Sequence, residues 1–238
     1  MQYQRDVNQE NAKRPIDGLA LIRRMFQGET DRLNKKLGIS GIHNGKKSDS
    51  WACIHFDLPR FHSAVSEAVK FVDNPTGRYN TVKFLDVGCG LGQKVYLATI
   101  MGMDAEGLDF MAEYVKKAKE LIDFYSELEY WSAHHKDLIF RANALTFKRY
   151  AQYDMIYFYR PIAEQNGQMK LEKRILKTAK VGAVAVVVYA PVLFVPEEAE
   201  KYGWIRVADA TWKRIQEGPI KKGQKLMYAR HRGEEWFN

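Results

Sequence analysis

The apolar positions of this chain fall into two regimes. Over roughly the first third they recur at helical spacing. Leu19, Ala20, Ile22, Met25 and Phe26, then Leu33 and Leu37, predict one long helix or two short ones from Ile16, ended near Gly38. Residues 41–50 (GIHNGKKSDS) are loop, rich in turn formers and basic groups. The run Trp51–Leu58 is apolar but irregular, readable as a strand or as a strip laid over a groove. Pro59 opens a helix through Phe71 with Phe61, Ala64, Val65, Ala68 and Val69 on one side. Residues 74–80 (NPTGRYN) form a turn-rich boundary, where a helical extension (1–79) joins the remainder (80–238).

From Val82 strand and helix patterns alternate, the signature of a parallel sheet covered by helices. Strands are predicted at Val82–Val87, Ala105–Leu108, Leu138–Ala142, Asp154–Tyr159 and Ala183–Tyr189, the last (AVAVVVY) the most plainly buried run. Helices are predicted over Gly92–Met101, over the stretch carrying Met111, Tyr114, Val115, Ala118, Ile122 and Tyr125, and over a charged segment from about Gly167 to Lys180. Glu127–Lys136 reads as a connector, and Trp204–Ala210 with Lys225–Arg230 as a closing pair of strands.

The first of these strands runs into Gly88-Cys-Gly90-Leu-Gly92. Glycines at alternate positions permit backbone angles and close approaches that a Cβ would block. A ligand can then press on main-chain N–H groups at a helix N-terminus. The spacing is not the dinucleotide fingerprint G-x-G-x-x-G, whose third glycine would fall where Gln93 stands. Asp86-x-Gly88-x-Gly90-x-Gly92 instead resembles motif I of the class I, Rossmann-like S-adenosylmethionine-dependent methyltransferases. The resemblance implies an α/β fold: a doubly wound, mostly parallel seven-stranded sheet over residues 80–238, here with an N-terminal helical extension that takes no part in the likeness and serves as a possible lid or substrate wall. It also implies S-adenosyl-L-methionine as cofactor. With Gln93-x-Val95 the motif is also similar to that of Dot1-type histone lysine methyltransferases, a likeness too short to assign a substrate.

In a doubly wound sheet, ligands bind beyond the carboxyl ends of the strands. Asp86 ends strand one, and by the resemblance it organises the amino-acid half of the cofactor; otherwise it caps the loop. Gly88, Cys89 and Gly90 would line the approach to ribose and methionine, with Cys89 a packing residue rather than a nucleophile. Asp109 ends strand two, about twenty residues on. There the family carries an acid that accepts both ribose hydroxyls, which suits the two oxygens of a carboxylate; a helix cap is the other reading. Phe110 and Met111 would lie by the adenine. Asn143, ending strand three, and the Ala144 N–H would take the adenine edge, unless Asn143 is a turn residue.

Strand four departs from one branch of the family. Enzymes that methylate nucleobase or glutamine amines carry an Asn/Asp-Pro-Pro-Tyr/Phe motif, and Tyr157-Phe-Tyr159-Arg160-Pro161 lacks its amide or acid and its first proline. This counts against a nucleobase amine and leaves a small molecule or a protein as acceptor. Aromatic faces suit a sulfonium. Alternation puts Tyr157 and Tyr159 on one face and Ile156 and Phe158 on the other, so Tyr159, nearest the strand end, is the candidate beside the methyl group. Arg160 is a candidate for an acidic substrate group. Tyr157 and Phe158 read as core. His55, His134 and His135 are not tied by spacing to a base or a metal, and no metal is expected.

Composition narrows the picture without redirecting it. A chain of 238 residues, 46% hydrophobic and 28% charged, reads as one globular domain, or a domain with an extension. It has no run near the roughly 18–20 apolar residues of a membrane span, and its first fifteen residues are too polar to be expected to act as a signal peptide. Two cysteines, Cys53 and Cys89, give no disulfide framework, so a cytoplasmic setting is expected. The net charge of +8 is uneven: Lys and Arg exceed Asp and Glu in residues 1–80 (13 against 9) and 201–238 (9 against 4), but not in 81–200 (15 against 16). Basic ends allow an anionic partner, or are solvated lysines. Two other functions stay open here: a silent methyltransferase-like domain that binds nucleic acid or protein, and an NAD-linked oxidoreductase.

Overall fold

Side-chain alternation along four central strands divides the apolar residues into two cores, one on each face of a twisted sheet. The computed structural model describes residues 15–38, 57–73, 79–127, 138–188 and 191–221. Its strands are β1 (Lys83–Val87), β2 (Asp104–Asp109), β3 (Ile139–Arg141), β4 (Met155–Phe158), β5 (Val184–Val187), β6 (Trp204–Ala208) and β7 (Thr211–Arg214). They lie in the order β3-β2-β1-β4-β5-β7-β6, all parallel except β7, which runs antiparallel to both β5 and β6. The chain order reverses between β1 and β4, which opens a crevice at their carboxyl ends.

Helices α1 (Pro15–Lys36), α2 (Leu58–Ala68), α3 (Gln93–Ile100) and α4 (Ala112–Glu127) contribute to the core that holds Phe84, Met155, Tyr157, Val184 and Val186. Helix α5 (Gln165–Thr178) and the short α6 (Pro196–Ala199) lie with Leu85, Ile156, Phe158, Ala185 and Val187 in the other. Tyr157 and Phe158 are thus buried on opposite faces, as the alternation predicts. Sequence explains α2 directly. Asp57 accepts the Arg60 N–H as N-cap, Pro59 sits in the first turn, and Leu58, Phe61, Val65 and Ala68 make one wholly buried stripe. Leu58 therefore belongs to a helix; residues 51–56 lie outside the described residues.

The N-terminal pattern resolves into one helix, closed at Gly38 with φ +66°. Helix α1 is fastened to α3 and α4 by the Phe26–Tyr96 ring contact (5.9 Å), the Tyr114 hydroxyl donating to Asn34 Oδ1 (2.6 Å), and the Lys117–Glu29 ion pair (3.1 Å). Packing therefore runs across the turn-rich boundary near residue 79.

The sheet closes with a strand that the sequence pattern did not predict. β6 forms where expected, but its partner is Thr211–Arg214; Lys225–Arg230 lies outside the described residues. Two adjacent cations hid β7. Lys213 is buried because its ammonium donates to the Phe71 carbonyl (2.8 Å), and Arg214 because its guanidinium donates to the carbonyls of Lys177 and Ala179.

One buried carboxylate organises the loops above β4 and β5. Glu172 of α5, fully buried, accepts the N–H groups of Val192 (2.9 Å), Leu193 (2.5 Å) and Phe194 (3.2 Å) and the Gln168 amide (2.8 Å). Gln168 in turn accepts the Ile162 N–H at 3.4 Å. Removing this acceptor strands buried donors that each cost about 1–3 kcal/mol. Glu172→Ala is expected to lower the unfolding free energy by about 3 kcal/mol or more, measured by denaturant titration; a loss below about 1 kcal/mol would show that water replaces the carboxylate.

Candidate functional site

The glycine turn is held against the next strand by contacts that only glycine permits. Gly88 and Cys89 both donate to the Leu108 carbonyl, at 2.8 and 3.0 Å. Gly88 has φ +77°, and a Cβ there would stand 2.3 Å from the Pro161 Cβ. Gly107 on β2 has no room for a Cβ either, with Val95 and Cys89 side-chain atoms at 2.6 and 2.9 Å. Gly92 caps α3 with φ +79°. The turn is therefore squeezed between the ends of β2 and the segment leaving β4.

Asp109 closes this arrangement electrostatically. Its Oδ2 accepts the Gly90 N–H at 2.9 Å and its Oδ1 the Met111 N–H at 2.8 Å, so one carboxylate bridges the turn and the start of α4. A carboxylate offers about four lone-pair sites, so each oxygen keeps capacity for a further donor. Burial holds its carboxyl above the usual carboxylate range, against the two backbone hydrogen bonds.

Asp86 is the contrasting acid. It is wholly buried, and neither oxygen accepts a hydrogen bond. Lys94 Nζ approaches to 3.7 Å, an ion pair without hydrogen-bond contact. Burial pushes the Asp86 carboxyl up from 3.8 to about 6, with Lys94 opposing the shift. Lys94 Nζ also lies 5.7 Å from the centre of the Tyr157 ring, whose strand pairs with β1 at Asp86. Phe61 of α2 packs edge-on to that ring at 5.0 Å.

The remaining sequence candidates distribute as follows. Cys89 is buried in the core, as a packing residue would be. Phe110 projects from the end of β2, 56% exposed, and its carbonyl accepts from Arg141 Nε at 3.3 Å. Met111 is half-buried against the core. Asn143 is exposed and holds a turn: its Oδ1 accepts the Leu145 N–H (2.9 Å) and its carbonyl the N–H of Phe147 (2.9 Å). The Ala144 carbonyl accepts the Tyr150 hydroxyl at 2.9 Å. Tyr159 is half-buried beside the core that holds Tyr157. Arg160 has φ +38°, a strained left-handed conformation just before the proline that covers Gly88. His55, His134 and His135 lie outside the described residues. Asp86, the glycine turn and Asp109 are thus brought together at the crevice, and Tyr159–Pro161 borders it.

Sequence reading passed over Lys94, Gln168 and Glu172. Lys94 carried a signal, since a cation in the first turn of a helix sits at the wrong end of the dipole. Glu172 carried none, because it stands among charged residues of a helix that reads as solvated.

The sequence matches the family described as tellurite resistance protein TehB over residues 45–183, more than half of the chain. Among solved structures it is similar to a putative sarcosine dimethylglycine methyltransferase from Galdieria sulphuraria, at 17% identity and TM-score 0.43, over 55% of this chain and 46% of that one. It is also similar to a TehB-like SAM-dependent methyltransferase from Corynebacterium glutamicum, at 16% identity and TM-score 0.35, over 55% of this chain and 68% of that one. A Pyrococcus horikoshii protein matches at 19% identity and TM-score 0.41, over 55% of this chain and 56% of that one. The chain spans about half the length of several such structures (56%, 48% and 46%). No curated protein matches it. By the extent of the family match, with the seven-stranded doubly wound sheet and the glycine turn that carries motif I, the chain belongs to the TehB family of class I, S-adenosylmethionine-dependent methyltransferases.

Proposed function

We propose that the protein transfers a methyl group from S-adenosylmethionine to a small molecule or a protein. The observation that carries this reading is the pair of buried acids at adjacent strand ends. Asp109 is fixed at the turn with lone pairs to spare, and Asp86 is buried without a hydrogen bond. A ribose diol and an α-ammonium are the groups that such a pair lacks.

The cofactor supplies an electrophilic methyl group on a sulfonium. Asp109 accepts the two ribose hydroxyls, and Asp86 faces the ammonium of the amino-acid tail. The backbone of Gly88, Cys89 and Gly90 lines the ribose and tail, where side chains would intrude. Phe110, an exposed ring beside Asp109, and Met111 cover the adenine, whose edge meets Asn143 and the Ala144 N–H. Tyr159 stands by the methyl group and turns a π-face to positive charge. Arg160 holds an acidic group of the acceptor. Displacement at the methyl carbon is in-line, so the residues contribute alignment and exclusion of water.

Residues 58–71 serve as a wall of the site, with Phe61 packed edge-on to Tyr157, and the helical extension up to residue 79 shares a core with the strands that follow it. The absent Asn/Asp-Pro-Pro motif argues against a nucleobase amine as acceptor. The family's name makes tellurite a first small molecule to assay. Among the described residues no helix is long and apolar enough to cross a membrane. The basic ends allow an anionic macromolecular partner as well.

Two outcomes test the cofactor site. Asp109→Ala is expected to weaken binding of S-adenosylhomocysteine by roughly a hundredfold or more, the worth of two charge-assisted hydrogen bonds. Calorimetry measures it, with circular dichroism to confirm folding; unchanged affinity contradicts the assignment. Wild-type affinity is also expected to fall as pH drops through about 6, because Asp86 then takes up a proton and no longer attracts an ammonium. In Asp86→Asn the affinity starts weaker at pH 8 and falls less, the residual slope belonging to Asp109. Identical pH profiles for the two proteins contradict the role of Asp86.

A further inference from the structure

Acidic and basic groups nearly cancel over residues 81–200, 16 against 15, but the fold separates them. Helix α5 carries Lys170, Lys173, Arg174 and Lys177 against a single acid, Glu172. At 3.6 residues per turn the four cations share an arc of about 100°. Glu172 faces the other way, fully buried and engaged by backbone N–H groups. The three lysines are exposed, and among the described residues none of the four cations pairs with an acid. Lys170 with Arg174, and Lys173 with Lys177, place like charges four residues apart, an arrangement that costs a helix stability. Packing does not require it, since α5 turns Leu171, Ile175 and Leu176 to the core.

Arg174 ties a second basic segment to this face. Its Nε donates to the Phe147 carbonyl at 2.7 Å and its Nη2 to the Thr146 carbonyl at 3.2 Å, which sets residues 146–149 along the flank of α5. Lys148 is exposed on that segment, and the Arg149 guanidinium lies over the Phe140 ring at 4.7 Å, with Glu106 3.6 Å away. The three lysines span about 10 Å of helix, and Lys148 widens the row sideways. The row lies on the sheet face away from α3 and α4.

Charge and texture select the occupant. Lysine is depleted at protein–protein interfaces, which are centred on aromatic and other bulky anchors. Docking on lipid needs apolar side chains to bury, and α5 exposes Met169 alone. Single strands are held by stacking on aromatic rings; the exposed rings among the described residues, Tyr79 and Phe110, belong to other segments. A polyanion that offers its phosphates and encloses its bases fits what is left. We propose that the outer face of α5, with Lys148 beside it, binds the sugar–phosphate backbone of duplex DNA without reading its sequence. The row presents cations, whereas double-stranded RNA is also held through its 2′-hydroxyls, which call for neutral hydrogen-bonding groups. DNA is then a partner that holds the enzyme in place, and the acceptor reading above is unchanged.

The test follows the fluorescence anisotropy of a labelled DNA duplex, titrated with the full chain at salt from about 50 to 200 mM. One variant carries Lys170→Glu, Lys173→Glu and Lys177→Glu. A control carries Arg23→Glu, Arg24→Glu and Lys116→Glu, the same change of charge on exposed cations of α1 and α4. Glutamate forms helix about as well as lysine, and thermal unfolding confirms that both variants fold. The wild type is expected to bind the duplex at the lowest salt with about micromolar affinity or tighter. The α5 variant binds it at least about tenfold more weakly, with a slope of log affinity against log salt shallower by about three, while the control stays within about threefold. Equal weakening by both variants assigns binding to net charge alone and overturns the proposal, as does a wild type that leaves the duplex unbound. Tighter binding to a single strand, to an RNA duplex of the same sequence, to polyglutamate or to phosphatidylglycerol vesicles gives the face to another partner and likewise overturns it.

Discussion

One carboxylate fixes the geometry of the crevice. Asp109 spans from the end of β2 to the Gly90 N–H on one side and the Met111 N–H on the other. Without it the glycine turn would be tied to its neighbour through the Leu108 carbonyl, which Gly88 and Cys89 share. Because the turn is also pressed by Pro161 and by side chains over Gly107, its backbone has little freedom to shift. The backbone of the turn, its N–H groups already bonded to the Leu108 carbonyl and to Asp109, and the two acids beside it are therefore set before any ligand arrives, and preorganised groups of this kind cost no rearrangement on binding.

The far side of the crevice is built by a separate device. The segment after β4 carries Tyr159, Arg160 and Pro161, and residues 192–194 follow β5. Gln168 and Glu172, one helical turn apart on α5, hold both by accepting their N–H groups. One acid thus orders the glycine turn, and another, on a helix of the opposite face of the sheet, orders the segments that follow β4 and β5. The strained backbone of Arg160 falls where the first device meets the second, since Pro161 packs on Gly88.

What the sequence disclosed follows the strength of local signals. β1 and its turn were legible because strand alternation runs into glycines that only a tight turn requires. β5 was legible because a strand buried on both faces is a continuous apolar run. β7 was not, because Lys213 pairs with Asp73 and the Phe71 carbonyl and Arg214 donates to the carbonyls of Lys177 and Ala179, all distant in sequence, which no local pattern records. Helix α2 was legible as a helix, but not its destination beneath Tyr157. In the site, Asp86 and Asp109 stood out by their strand-end positions. Lys94 did not, because its neighbour across 3.7 Å is a strand residue reached only when the sheet is assembled. The left-handed conformation of Arg160 had no glycine to announce it.

The central claim is that the two acids at the ends of β1 and β2 receive the tail and the sugar of one adenosyl ligand. A crystal structure with S-adenosylhomocysteine bound tests this most directly. The account predicts both ribose hydroxyls within hydrogen-bond distance of the Asp109 carboxylate and the tail ammonium on the Asp86 side of the glycine turn. A ligand seated elsewhere, or a ribose held by other groups with Asp109 still turned wholly to the backbone, would contradict it.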